Sequence, residues 1–84
     1  MDEVEKIIRK FLAEQILPEA EVEKLDKNTP LLQTGILNSL TLIHLIDFLE
    51  GQFDLTVSPA EFQPENFQSI HTICDYIQRK RIRG

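Results

Sequence analysis

Apolar positions fall into three helical runs separated by two stretches of irregular pattern. Val4, Ile7, Ile8, Phe11, Leu12 and Ile16 recur at the three- and four-residue spacings of an amphipathic helix. Asp2 is placed to cap that helix, and Pro18 closes it after Leu17, so a first helix is predicted over about residues 3–16. A second run follows Asn38. On a wheel of about 100° per residue, Leu42, Leu45, Ile46, Leu49 and Phe53 share one side, with Ile43 at its margin. Thr41, His44, Asp47 and Gly51 lie opposite, giving a helix over about residues 39–52. The third run, Ile70, Ile73, Cys74 and Ile77 after a starting Ser69, predicts a helix over about residues 70–80.

Between the second and third runs, Ser58-Pro59-Ala60-Glu61 combines a capping serine, a proline at the first helical position and a glutamate three residues after the cap. A short helix is expected there, about residues 59–63, anchored by Phe62 and limited by Pro64. The stretch between the first and second runs, residues 18–38, reads as a long connection. Val22, Leu25, Leu31, Leu32, Ile36 and Leu37 are too apolar for a solvated linker, so it must fold back on the core. Only Asp54–Val57 alternates like a strand, and it is too isolated to build a sheet. The expected architecture is all-α: a small four-helix bundle of three principal helices and one short one, within a single domain over 1–84.

Two large residues fall outside the main stripe of the second helix. Leu40 and Phe48 turn toward its polar side and are candidates for a partner contact, unless the long connection covers them. A chain of 84 residues buries about 60–65% of its unfolded surface, which leaves little room for an enclosed active site beside the core. No apolar run is long enough to span a bilayer, and the N-terminal pattern is unlike a secretory signal, so a cytoplasmic location is expected. Cys74, the single cysteine, sits on an apolar stripe and reads as a small buried side chain.

Charge is informative through its distribution. Residues 1–27 hold eight acids and five bases, and residues 68–84 hold one acid and four bases. Residues 28–67 hold Asp47, Glu50, Asp54, Glu61 and Glu65 with no Lys or Arg. A negative central surface favours basic protein partners and opposes nucleic acid, which must be met by cations. The basic Arg79-Lys80-Arg81-Ile82-Arg83 suits the negative end of a helix dipole.

Candidate chemistry centres on Ser39. A nucleophile elbow needs glycine two residues before and after the serine; here those positions are Leu37 and Thr41, with no preceding strand. His44 lies about 140° around the helix from Ser39, and His71 has no visible acid partner. His44 and Asp47 alone make no metal site, and no Gly-rich phosphate loop occurs. No catalytic set and no metal site emerge. A covalent carrier has different needs: an exposed hydroxyl on a rigid element, where free N–H groups and the helix dipole stabilise a phosphodiester. Gly35, Asn38, Ser39, Leu40 and the acids Asp47 and Glu50 supply that pattern.

Leu32-Gln33-Thr34-Gly35-Ile36-Leu37-Asn38-Ser39-Leu40, with Phe53 closing the following helix, resembles the attachment motif of the acyl and peptidyl carrier protein superfamily. Residues 58–70, SPAEFQPENFQSI, are similar to the third-helix region of stand-alone carriers of the D-alanyl and aminoacyl type. The resemblance implies 4′-phosphopantetheine on Ser39, added from coenzyme A by a phosphopantetheinyl transferase. It implies loading by an ATP-dependent acyl or aminoacyl ligase or an acyltransferase, and hand-over of the thioester to a downstream synthase or transferase. The carrier itself would do no chemistry and would act as a monomer. Asn38, Leu40, Asp47, Phe48 and Glu50 match the region through which such carriers dock their partners. Asn38 departs from the family's usual Asp; it caps a helix equally well but removes a carboxylate that transferases can read. The alternative is a carrier-like docking module that is never modified.

Overall fold

A computed structural model describes residues 2–83, except the side chains of Asp2, Ile82 and Arg83. The chain forms α1 (Asp2–Gln15), α2 (Glu19–Lys24), α3 (Ser39–Phe53), a 3₁₀ turn (Pro59–Glu61), α4 (Pro64–Phe67) and α5 (Ile70–Arg83). No strand occurs among the described residues, and the alternating stretch 54–57 runs extended without a partner. The three principal helices fall where periodicity places them. The capping expected of Asp2 lies outside the described residues.

Each long helix turns its apolar stripe inward. Val4, Ile8, Phe11 and Leu12 of α1 meet Leu42, Leu45, Ile46 and Leu49 of α3 and Ile70, Ile73, Cys74 and Ile77 of α5. Burial pushes the Cys74 thiol up and leaves it inert as a nucleophile. The connection supplies Val22, Leu31 and Leu37 to the same core, all nearly inaccessible. At about 25 cal/mol per Å² of apolar surface, each of these side chains contributes about 1.5–3 kcal/mol when fully buried.

Two expectations need correction. The connection contains a helix: Glu19–Lys24 forms α2, with the Pro18 carbonyl accepting from Glu21 N–H (3.0 Å) and Val22 N–H (3.1 Å). Two acids in its first turn and Lys24 in its last match the dipole. Val22 is its only buried residue, so it has no stripe to betray it. Arg9 Nη1 donates to the Val22 carbonyl at 2.7 Å and ties α2 to α1.

The short third helix is also divided. Residues 59–61 make only a 3₁₀ turn, and Pro64 opens α4 instead of ending a helix. Proline fits a first helical position because the N–H it lacks would be unpaired there. The anchor is Phe67, fully buried against the Tyr76 ring at 5.2 Å, whereas Phe62 stays 43% exposed. Glu61 fastens this segment to α5. Its carboxylate accepts from Ser58 N–H and Oγ–H (3.1 Å each), Tyr76 Oη–H (3.2 Å) and Lys80 Nζ (2.7 Å). Lys80 and Ser58 hold the Glu61 carboxyl down at about 2, and burial beside that carboxylate pushes the Tyr76 phenol up to about 12.

Candidate functional site: the start of helix α3

The loop that leads into α3 is held by backbone bonds to the beginning of α5. Leu31 N–H donates to the Gln68 carbonyl at 2.6 Å, and His71 N–H donates to the Lys27 carbonyl at 2.9 Å. Leu37 N–H closes back on the Leu31 carbonyl at 2.9 Å. Gly35 turns the chain between these two leucines with φ +81°, a left-handed conformation that costs a side-chain-bearing residue about 1–2 kcal/mol. The entry to α3 is therefore fixed from both sides.

Asn38 caps the helix in an extended conformation. Its Oδ1 accepts from Thr41 N–H at 3.0 Å, and Thr41 Oγ1 accepts in return from Asn38 N–H at 2.7 Å. The first intrahelical bond runs from Leu42 N–H to the Asn38 carbonyl at 2.8 Å. Capping is thus complete without Ser39. That serine occupies the first helical position, exposed, and its hydroxyl has no hydrogen-bond partner among the described residues. The N–H groups of Ser39 and Leu40 are likewise free of intramolecular partners there, at the positive end of a 15-residue helix.

Beside Ser39 lies a bare apolar surface. Leu40 is 62% exposed and Ile43 is 52% exposed, and both belong with His44 and Asp47 to one solvent-facing stripe. The helical wheel put Ile43 at the margin of the core side, where only the actual curvature of the bundle decides between burial and exposure. Phe48 does not share that surface. It is half-buried with its ring 5.0 Å from that of Phe11, so α1 shields it. Glu50 is half-buried and accepts from Val57 N–H at 2.9 Å, which secures the extended stretch after α3. The helix ends with Asp54 in a left-handed conformation, its N–H on the Glu50 carbonyl.

Ser39 stands exposed at a helix start, not within an enclosed site. No hydrogen bond links it to His44 or His71 among the described residues, and no three His, Cys, Asp or Glu side chains there converge on a common point. The open grooves of about 700 Å³ (around Phe53, Leu55 and Arg81) and about 410 Å³ (between α1 and α2) involve no residue between 30 and 50. The described basic side chains of α5 are engaged elsewhere: Lys80 with Glu61, Arg79 with Asp75 at 3.2 Å, and Arg81 over the Phe53 ring at 5.5 Å. No described helix is long and apolar enough to cross a membrane. What the site offers is a rigidly presented hydroxyl, two free N–H groups and an apolar landing surface. That set fits a group attached by a phosphodiester and does not fit one bound in a pocket.

Comparison with known proteins agrees with this geometry. A solved chain of similar size, titled as a crystal structure of an FAD-dependent dehydrogenase, superposes with a TM-score of 0.71 at 33% identity, over 83% of this chain and 97% of that one. The likeness is one of fold. The probable acyl carrier protein PigG of Serratia is 31% identical over 81% of this chain and 77% of its own length. The D-alanyl carrier protein of Lactococcus lactis is 36% identical over 67% of this chain and 71% of its own. The aminoacyl carrier protein 1 of Bradyrhizobium diazoefficiens is 40% identical over a shorter span, 44% of this chain and 41% of its own length. Residues 4–77 match the family described as the phosphopantetheine attachment site, and the chain belongs to that family of carrier proteins.

Proposed function

We propose that Ser39 is the attachment point of the 4′-phosphopantetheine arm and that the chain carries an acyl or aminoacyl group from one enzyme to the next. The observation that carries this reading is the division of labour at the start of α3. Asn38 and Thr41 perform the capping, so the neighbouring hydroxyl is exposed, unpaired and held in place. The arm, when attached, supplies the thiol that bears cargo as a thioester. The Ser39 Oγ would displace adenosine 3′,5′-bisphosphate from the pyrophosphate phosphorus of coenzyme A, the new O–P bond replacing the broken P–O bond and the hydroxyl proton passing to the transferase. The free N–H groups of Ser39 and Leu40 would then be available to the negative diester. The carrier contributes position and recognition and performs no bond chemistry on its cargo.

Leu40 and Ile43 would seat a phosphopantetheinyl transferase and the loading and receiving enzymes, with Asp47 adding a charge for a basic partner face. Phe48 and Glu50, engaged within the fold, would act by holding α3 in place rather than by direct contact. Among the named relatives are D-alanyl and aminoacyl carriers, which favours an aminoacyl cargo loaded by an ATP-dependent ligase. We place the protein in the cytoplasm, as a monomer. Incubation with coenzyme A and a broad-specificity transferase should add one arm's mass, and Ser39→Ala should prevent it. Failure of several transferases to modify the folded chain, together with partner binding indifferent to Ser39→Ala, would favour a docking module instead.

A further inference from the structure

We infer that Asn38 positions the arm: its side-chain Nδ2–H group donates to a non-bridging oxygen of the phosphodiester on Ser39. The inference rests on Ser39 being the attachment point. An asparagine amide has an accepting end and a donating end, and here the accepting end is already assigned. Thr41 N–H can only be met by an oxygen, so the 3.0 Å bond fixes which way the amide faces. The donating end is then turned away from Thr41, on an exposed residue, with no partner among the described residues. Ser39 is the next residue along the chain, and its hydroxyl is unpartnered as well.

The surrounding charge gives that donor its importance. Residues 28–67 contain no Lys or Arg, and the described cations of the α5 tail are occupied by Glu61, Asp75 and Phe53. The donors that the neighbouring residues offer the diester are therefore neutral: the N–H groups of Ser39 and Leu40 and the Asn38 amide. Aspartate at 38 would cap α3 as well but would set a second negative charge beside the diester. Asparagine keeps the cap and turns repulsion into a hydrogen bond.

The test uses the full chain, labelled with ¹⁵N and converted by transferase and coenzyme A, with attachment verified by intact mass. The Asn38 side-chain amide resonances are identified by their absence in Asn38→Asp. Attachment should move one Nδ2 proton downfield and slow its exchange with water. In parallel, apo Asn38→Asp should melt within about 2 °C of the apo parent, because the cap is retained. The Tm change on attaching the arm should then be about 2–4 °C less favourable in Asn38→Asp than in the parent, from the repulsion expected at this chain length. An unmoved amide resonance with equal holo-minus-apo shifts in both proteins overturns the inference while leaving attachment intact. Absence of any added mass overturns attachment at Ser39 and this inference with it.

Discussion

Replacing Glu61 by glutamine tests whether one carboxylate holds the 58–67 segment onto α5. The side chain accepts from Ser58, Tyr76 and Lys80, and the contacts with Lys80 and Ser58 lower its carboxyl from 4.5 to about 2. Taken at face value, about 1.4 kcal/mol for each unit of pKa gives roughly 3 kcal/mol. The Glu61 side chain keeps 26% exposure and Lys80 keeps 27%, so solvent screens the pair and about 1–2 kcal/mol is the better figure. A carboxyl whose folded-state pKa is depressed contributes stability above its unfolded value, and that contribution disappears as the pH falls through the folded value. The parent should therefore exceed Glu61→Gln by about 1–2 kcal/mol at pH 7, with the difference shrinking between about pH 4.5 and pH 2. Urea unfolding of both proteins across that range isolates Glu61 from the other titrating acids. Equal stability at pH 7, or a difference that persists unchanged to pH 2, refutes the role given to Glu61.

Leu31→Ala removes a fully buried side chain from the loop before α3 and should cost about 2–5 kcal/mol in denaturant unfolding, despite its place outside any regular element. Asn38→Ala should lose about 1 kcal/mol through the cap, whereas Ser39→Ala should stay within about 0.5 kcal/mol of the parent; calorimetry distinguishes them. Ile43→Asp leaves the core untouched, and its thermal unfolding should match the parent. Its modification by a transferase should slow by about tenfold, read from kcat/KM by mass spectrometry, as expected for loss of a contact worth about 1.4 kcal/mol.

The legible parts of this fold were those encoded by repetition. Val4, Ile8 and Leu12, or Ile70, Ile73 and Ile77, each make the same statement several times over, and the helices stand as expected. What sequence hid was encoded by single contacts. Only Val22 is buried in α2, and the hydrogen bond that completes its attachment comes from Arg9, on another element. Pro64 signals either the end of one helix or the start of the next; the buried position of Phe67, a tertiary fact, selects the start. Ser39 and Leu40 could be picked out because capping chemistry and an exposed leucine are local signals. Ile43 and Phe48 exchanged their expected environments because both sit near the edge of the stripe, where a neighbouring helix decides the outcome.

The loop into α3 is moored to residues far along the chain, at Gln68 and His71. A growing or partly folded chain lacks those moorings until α5 has formed and docked. The helix start that presents Ser39 thus depends on contacts of long sequence separation, although Ser39 lies near the middle of the sequence. If Ser39 is the attachment point, a transferase that reads the finished helix start should arm the folded chain and pass over the unfolded one, which would make the tether between two distant segments a checkpoint on maturation.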